Sequence, residues 1–326
     1  MTNAPSLPAW KGRRVLVTGA DGFMGSHLTE RLLREGAAVT AWVRPRSVTG
    51  TVGFELRNLG GVQAQLEAIV AADIAGPDAA DRVCDIAPDV VFHLAADAYV
   101  ERSFDHPQEV LRTNLGGTLT VLQAARRQSS IGRAVITSSS EVYGTAQADR
   151  IDEAHPLEPT SPYAASKLAA DRMAVAYHRT YGIPISVIRP FNTYGPRHVY
   201  DVIPKFVARA IQGQPLEVYG EGLQSRDFTY VDDMVEAFLL MGAHPDAVGR
   251  VVNFGSGVAT SIATLARMVL DATGAGVPIV QRPARKAEVG RLCCDHGRAR
   301  AMFGWQPRVT LIEGLRRHVD WARTHV

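Results

Sequence analysis

Cysteine is scarce in this chain: 326 residues hold three, Cys84, Cys293 and Cys294, and none belongs to a C-x-x-C pair. Two adjacent thiols suit neither a disulfide framework nor a zinc site, so all three are read as buried free thiols and no metal is expected. Charge of one sign is lacking too. The formal net charge is +2, with 21% charged residues and no block of like charge. No basic stripe interleaved with aromatics offers a surface for nucleic acid. Long apolar runs are missing as well. Nothing approaches the run needed to span a bilayer, and "MTNAPSLPAW" at residues 1–10 has no apolar stretch of signal-peptide length. These absences lead to an expectation of a cytoplasmic protein with neither nucleic acid nor membrane as partner.

What the chain does have is 46% hydrophobic residues, enough for a large core and one or two domains. Short β-branched runs alternate with longer helical patterns: "RVLVTG", then residues 23–35, "AVTAWV", "VVFHLAA", "AVITSSS" and "ISVIRP". That alternation predicts an α/β fold with a doubly wound parallel sheet of Rossmann type. After residue 190 the rhythm changes at "YGP", "GQP", "YGEG" and "GAHP", while "VVNFGSG" again reads as strand and turn. The expected organisation is a dinucleotide-binding domain over 11–190 plus about 231–257. A smaller α/β lobe takes 191–230 and 258–326.

The stretch "VLVTGADGFMGSHLTERLL" sets Gly19, Gly22 and Gly25 between a strand and an amphipathic helix. Glycines let backbone N–H groups approach a pyrophosphate, which the positive end of the helix also attracts. An acid about 20 residues further on would grip the ribose hydroxyls of NAD. Here Val43 stands in that region, followed by Arg44 and Arg46 in "AWVRPRS". Two guanidiniums favour a 2′-phosphate, hence NADP, unless they simply face solvent. Asp73 suits either the adenine edge or a turn. The candidate cofactor residues are Gly19, Gly22, Phe23, Met24, Gly25, Arg44, Arg46, Asp73, Ile74, Leu94, Ala95 and Ala96, together with Tyr163 and Lys167. His93, on a mostly apolar strand, is read as a satisfied core histidine rather than a base.

"TSPYAASKLAADRMAVAY" begins with Ser161 as a plausible N-cap and Pro162 at the first helical position. Tyr163 and Lys167 are four residues apart, on one helical face. Positive charge from Lys167 and an oxidised nicotinamide would lower the phenol from its usual pKa of about 10 toward working pH. The phenolate could then take a hydroxyl proton as hydride leaves.

With these residues the chain resembles the extended short-chain dehydrogenase/reductase family of nucleotide-sugar enzymes, from about residue 13 to the end. The matching pieces are "GADGFMGSHL", "VFHLAADAYVERS", "RTNLGGT", "SSSEVYG", "SPYAASK", "RPFNTYGPR", "GEGLQSRDFTYVDD" and "RLCCDHGRARAMFGWQPR". The resemblance implies a tightly bound NADP or NAD that is not consumed. It also implies a nucleotide-diphosphate sugar held between the lobes, and a homodimer built from helices near 107–127 and 161–181. It assigns Asn192, Arg226 and Arg291 to the diphosphate, and Asp97 and Ser103 to a substrate loop like that of dTDP-glucose 4,6-dehydratases. Paired arginines suit a diphosphate through forked, charge-assisted hydrogen bonds. The structural alternative pairs Arg226 with Asp227 or Asp232.

Family members start alike, with the tyrosine taking the C4 hydroxyl proton. They then diverge into 4-epimerases, 4,6-dehydratases and uronate decarboxylases. A dehydratase needs an additional base near C5, and Glu141 in "SSSEVYG" is the candidate. Ser139 and Glu141 would share a face if the strand ran on that far. The resemblance places glutamate there in dehydratases and decarboxylases, and a small residue in epimerases. Ser140 stands where the dTDP-glucose enzymes carry an aspartic acid; GDP-mannose 4,6-dehydratases have serine and use NADP. The expected catalytic set is Ser139, Ser140, Glu141, Tyr163 and Lys167, and the expected reaction is a nucleotide-sugar 4,6-dehydration. Epimerisation, then decarboxylation, are the enzymatic alternatives. A silent nucleotide-binding regulator is the alternative of another class.

Overall fold

The run RVLVT forms β1 (Arg14–Thr18), and the amphipathic stretch after the glycines forms α1 (Phe23–Arg34). Next come β2 (Ala38–Val43), the short β3 (Arg46–Val48) and β4 (Thr51–Gly53), β5 (Ala68–Ala71), α2 (Ala79–Ile86) and β6 (Val90–His93). Three helical pieces follow: α3 (Arg102–Asp105), α4 (Pro107–Leu111) and α5 (Gly117–Arg127). A wide turn of π type at Arg112–Gly116 joins the last two. Then come β7 (Arg133–Thr137), α6 (Pro162–Tyr181), β8 (Ile185–Pro190), β9 (Thr193–Tyr194), α7 (Val202–Ile211) and β10 (Leu216–Tyr219). The chain continues through β11 (Ser225–Asp227), β12 (Thr229–Tyr230), α8 (Val231–Ala243) and β13 (Val251–Phe254). It closes with β14 (Ala259–Ser261), α9 (Ile262–Thr273), β15 (Ile279–Arg282), α10 (Gly297–Phe303) and α11 (Leu311–His325). This structure, a computed structural model, describes residues 10–48, 51–53, 56–285 and 288–325, with the backbone alone at 46–48 and 51–53.

Seven strands form the central sheet in the order β13-β8-β7-β6-β1-β2-β5. β1 runs parallel to β2 and β6, β2 to β5, β6 to β7 and β7 to β8. The strands are mostly apolar and buried, as suits a parallel sheet covered on both faces. On one face Leu16, Val91, Ile136 and Val187 join a core with Val83 of α2 and Leu122 of α5. The neighbouring residue Phe92 points the other way, its ring 5.7 Å from Trp10 and 6.4 Å from Phe238 of α8. Burying each such large apolar side chain contributes about 1.5–3 kcal/mol. The doubly wound sheet expected from the sequence is the observed fold.

The strand order reverses at β1, which lies between β2 and β6. In open α/β sheets the carboxyl ends of strands at such a switch point receive the ligand. The glycine turn after β1 and Leu94–Ala96 after β6 both emerge there.

The chain forms two compact units. One holds Met1–Ser139, Ser161–Arg189 and Val235–Val252; the other holds Ser140–Thr160, Pro190–Met234 and Asn253–Val326. In the second unit β10 pairs in parallel with β15, β9 in parallel with β12, and β11 antiparallel with β14. Asp227 organises its centre. This fully buried carboxylate accepts hydrogen bonds from Ser256 N and Oγ, both at 2.6 Å, from Gly257 N at 2.8 Å and from Cys294 N at 2.9 Å. Cys293 and Cys294 are free and buried, and burial raises both thiols above their usual pKa. Among the described residues, no helix is long and apolar enough to cross a membrane.

Candidate active site

Gly19 follows β1 with φ +70, and a Cβ on it would lie 2.8 Å from Ala95 N, so side-chain-free backbone is needed on two counts. A Cβ on Gly25 would lie 2.1 Å from Gly19 O. The turn and the start of α1 thus pack backbone on backbone. α1 has no side-chain N-cap and no acid in its first turn. Its leading N–H groups, around the half-buried Phe23 and Met24, are the kind that hold a phosphate. Such a cradle fits the pyrophosphate of a dinucleotide.

Beyond β2, Arg44 is exposed, and the side chain of Arg46 lies outside the described residues. Asp73 is ion-paired with Arg112 at 2.7 Å and accepts the N–H of Ala75 at 3.0 Å. Burial works against its charge, yet Ala75, Arg112 and Arg44 together hold the carboxyl below its ordinary range. Ile74 is buried, and its Cγ2 would sit 2.7 Å from a Cβ on Gly117. Leu94 and Ala95 are anchored to Thr18: Leu94 N reaches its carbonyl at 3.1 Å and Ala95 N its hydroxyl at 3.2 Å. Ala96 follows, half-buried.

His93 is locked into the same corner. Thr118 Oγ1 donates to Asn114 O at 2.7 Å, so it accepts from His93 Nε2, 3.2 Å away. His93 Nδ1 then accepts from Thr18 Oγ1 at 2.8 Å. Burial, assisted by the charge of Lys167, pushes this imidazole down to about 3. It is neutral and fully satisfied, as a core histidine should be.

The α6 helix starts as its sequence dictates. Ser161 Oγ accepts the N–H of Ala164 at 3.1 Å and Pro162 takes the first turn. Tyr163 and Lys167 are both buried one turn apart. The Lys167 ammonium donates to Thr137 O at the end of β7. Burial lowers Lys167 to about 8, with the Asp171 carboxylate opposing. Ser139, just beyond β7, is 8% exposed.

One residue of this neighbourhood had no role in the sequence reading. Asn114, buried in the π-type turn, accepts the N–H of Asp97 at 2.8 Å and donates to Asp97 O at 3.2 Å and Ser166 Oγ at 2.8 Å. Ser166 in turn donates to Tyr163 O at 2.7 Å. The available signal was an asparagine placed before Gly116–Gly117 in an otherwise helical stretch, since wide turns of this type mark functional sites. Asp97 is also ion-paired with Arg102, which binds Glu109 as well. Ser103 is fully buried, and its hydroxyl donates to Val100 O at 2.6 Å, leaving only its lone pairs for a ligand.

The remaining candidates belong to the second unit. The strand ends at Thr137, and Ser140–Tyr143 is a tight 3-10 turn. The side-chain alternation of a strand therefore does not extend to Glu141, because the backbone has left the extended conformation. Ser140 is buried and Glu141 half-buried. Burial raises the Glu141 carboxyl above its ordinary pKa; Arg226 pulls it down, while Asp201 and Glu288 push it up. Arg226 donates to Glu288 Oε1 at 2.8 Å and to Val289 O at 2.7 Å, so its carboxylate partner is neither Asp227 nor Asp232. Arg291 is half-exposed and donates to Asp149 O at 2.9 Å. Asn192 lines a cavity of about 20 Å³ with His198 and Asp201.

Comparison with known proteins identifies the family. A family profile described as GDP-mannose 4,6 dehydratase matches residues 16–318. The chain belongs to that family. Among curated relatives, it is 36% identical over 322 residues to a UDP-glucose 4-epimerase of Mycolicibacterium smegmatis, covering 95% of this chain and 98% of the relative. It is 35% identical to a dTDP-glucose 4,6-dehydratase of Actinoplanes, covering 96% and 98%. Among solved structures, DesIV, the dTDP-glucose 4,6-dehydratase of Streptomyces venezuelae with NAD and TYD bound, superposes with a TM-score of 0.86. That match is 34% identical and covers 96% of this chain and 97% of DesIV. The protein is an NAD(P)-dependent enzyme of the nucleotide-sugar dehydratase and epimerase kind, within the extended short-chain dehydrogenase/reductase family.

Proposed function

We propose that this enzyme is a nucleotide-diphosphate-sugar 4,6-dehydratase. The observation that carries the reading is Glu141, a half-buried carboxyl in the turn after Ser139 that burial raises above an ordinary glutamate. A base of raised pKa is a stronger proton acceptor, as removal of a C5 proton requires. When bound, the nicotinamide supplies reversible storage of a hydride. Tyr163 takes the C4 hydroxyl proton, Lys167 holds positive charge beside the phenolate, and Ser139 binds O4. Once C4 is a ketone the C5 proton is acidic; Glu141 removes it and the C6 hydroxyl leaves with a proton as water, and return of the hydride to C6 with a proton to C5 would close the reaction with no cofactor consumed. Asn192, Arg226 and Arg291 are assigned to the diphosphate, with Asp97 and Ser103 in the sugar loop. We assign NADP as the preferred cofactor, on the exposed Arg44 after a β2 that ends in Val43 rather than an acid.

The second reading is 4-epimerisation, favoured by Ser140 in place of an acid that would protonate the departing hydroxyl. Incubation with a panel of nucleotide sugars decides between them by product mass. Loss of one water is expected; an unchanged mass with an inverted sugar stereocentre would overturn dehydration. A homodimer is proposed through the α4–α5 and α6 helices, where Leu111 is 47% and Tyr181 46% exposed. Large exposed apolar side chains on helices suit such a contact.

A further inference from the structure

Lys167 has a neighbour to which the proposed mechanism gives no task. Asp171 lies one helical turn further along α6, fully buried. Cα–Cβ bonds in a helix tilt toward its N-terminus, so a side chain four residues on leans over the turn that carries Lys167. Asp171 is gripped from the sheet by Arg189, whose Nε lies 2.8 Å from Oδ2 and whose NH2 group lies 3.1 Å from Oδ1. That guanidinium is only 1% exposed. Arg172 adds a bond of 2.8 Å from Nε to Oδ1. In the β7–β8 register Thr137 pairs with Ile188. The carbonyl that receives the Lys167 ammonium and the arginine that clamps Asp171 therefore sit side by side at the ends of adjacent strands.

We infer that Asp171 is a positioning residue for the Tyr163–Lys167 pair, its clamped carboxylate keeping the Lys167 ammonium charged in a buried pocket that disfavours charge. This rests on the reading that Lys167 acts on Tyr163. The groups around Lys167 divide clearly. From α6 comes Asp171, opposing the lowering by burial. From β6 comes His93, neutral and held by two threonines, so it adds no competing positive charge. From β7 comes the Thr137 carbonyl, an acceptor that favours an ammonium. From β8 comes Arg189, its charge directed at Asp171. Burial resists the charge of Asp171, but Arg189 and Arg172 hold its carboxyl below the ordinary range, so it stays ionised. Stability is a poor explanation for the pair, because a buried ion pair is often no more stabilising than apolar side chains of similar volume.

Phenolate absorbance isolates the effect without a substrate. The holoenzyme is titrated with base in the near-ultraviolet, and the same titration of Tyr163→Phe is subtracted, leaving the signal of Tyr163. In the unaltered protein the midpoint is expected below about 10, the value of a free phenol. In Asp171→Asn the lysine loses its proton earlier and the Tyr163 midpoint rises by about one unit; Asp171→Glu restores it. Asparagine would strand Arg189, so Asp171→Leu combined with Arg189→Met removes the pair as a unit; because a guanidinium charge leaves with the carboxylate, a smaller rise in the same direction is expected. A purely structural Asp171 would alter stability and leave the midpoint in place. An unchanged midpoint in either folded variant overturns the inference. A midpoint at the free-phenol value in the unaltered protein overturns the Tyr163–Lys167 reading itself, and the inference with it.

Discussion

The side-chain amide of Asn114 donates to Ser166 Oγ at 2.8 Å, tying the π-type turn between α4 and α5 to the helix that carries Tyr163 and Lys167. The same amide binds both backbone groups of Asp97. Asn114→Ala leaves those buried groups without their partner, at a cost of about 1–3 kcal/mol. Urea unfolding should show that loss. The turnover number should fall by more than KM changes, because α6 is held less rigidly; an unaltered turnover number would count against this role.

Glu141 acts as a base only when ionised, and burial raises its pKa. The acid limb of the rate profile should therefore lie above about 4.3, the ordinary glutamate value, with activity declining as pH falls through the raised pKa. Glu141→Gln should abolish both turnover and exchange of the C5 proton with deuterated solvent. Retained exchange would remove Glu141 from the mechanism.

A methyl group on Gly25 would meet Gly19 O at 2.1 Å, backbone against backbone, with no flexible atom to yield. Gly25→Ala should therefore purify without its dinucleotide, as measured by the nucleotide released on denaturation. A variant that keeps a full complement of cofactor would show that the turn relaxes.

Arg44 is exposed at the end of β2, with Val43 before it. If it meets a 2′-phosphate, Arg44→Ala should weaken NADP about tenfold or more and leave NAD nearly unchanged, since a charge-assisted hydrogen bond contributes about 1.5–3 kcal/mol. Binding titrations with both dinucleotides test this. Equal weakening of the two would place Arg44 elsewhere.

His93 has its pKa lowered to about 3 in the folded protein by burial and by Lys167. The unfolded chain, with an imidazole near 6.5, takes up a proton first as pH falls. The stability tied to the neutral ring is fully present above about 6.5 and is lost progressively from there down to about 3. Between about pH 7 and about pH 5 the loss should be about 2 kcal/mol from this residue. His93→Gln should flatten that part of the pH–stability curve. An equally steep curve would show that other groups cause it.

Much of this architecture is legible in the chain itself because its signals are local. The β-branched runs, the glycine turn and the Ser161–Pro162 start of α6 each specify their own backbone within a few residues. Tyr163 and Lys167 are related by helical spacing alone. The glycines needed only the rule that backbone must approach a phosphate closely. Tertiary structure alone decided what depends on residues far apart in sequence. It ended the strand at Thr137 and set Glu141 in a turn. It gave Arg226 to Glu288, 62 residues away, and gave Asn114 to Ser166, 52 residues away. It joined Asp171 to Arg189 across the first unit. Such pairings arise from which buried polar groups meet when the elements pack. A buried charge or amide must find a partner wherever the fold supplies one, and sequence spacing carries no record of that choice.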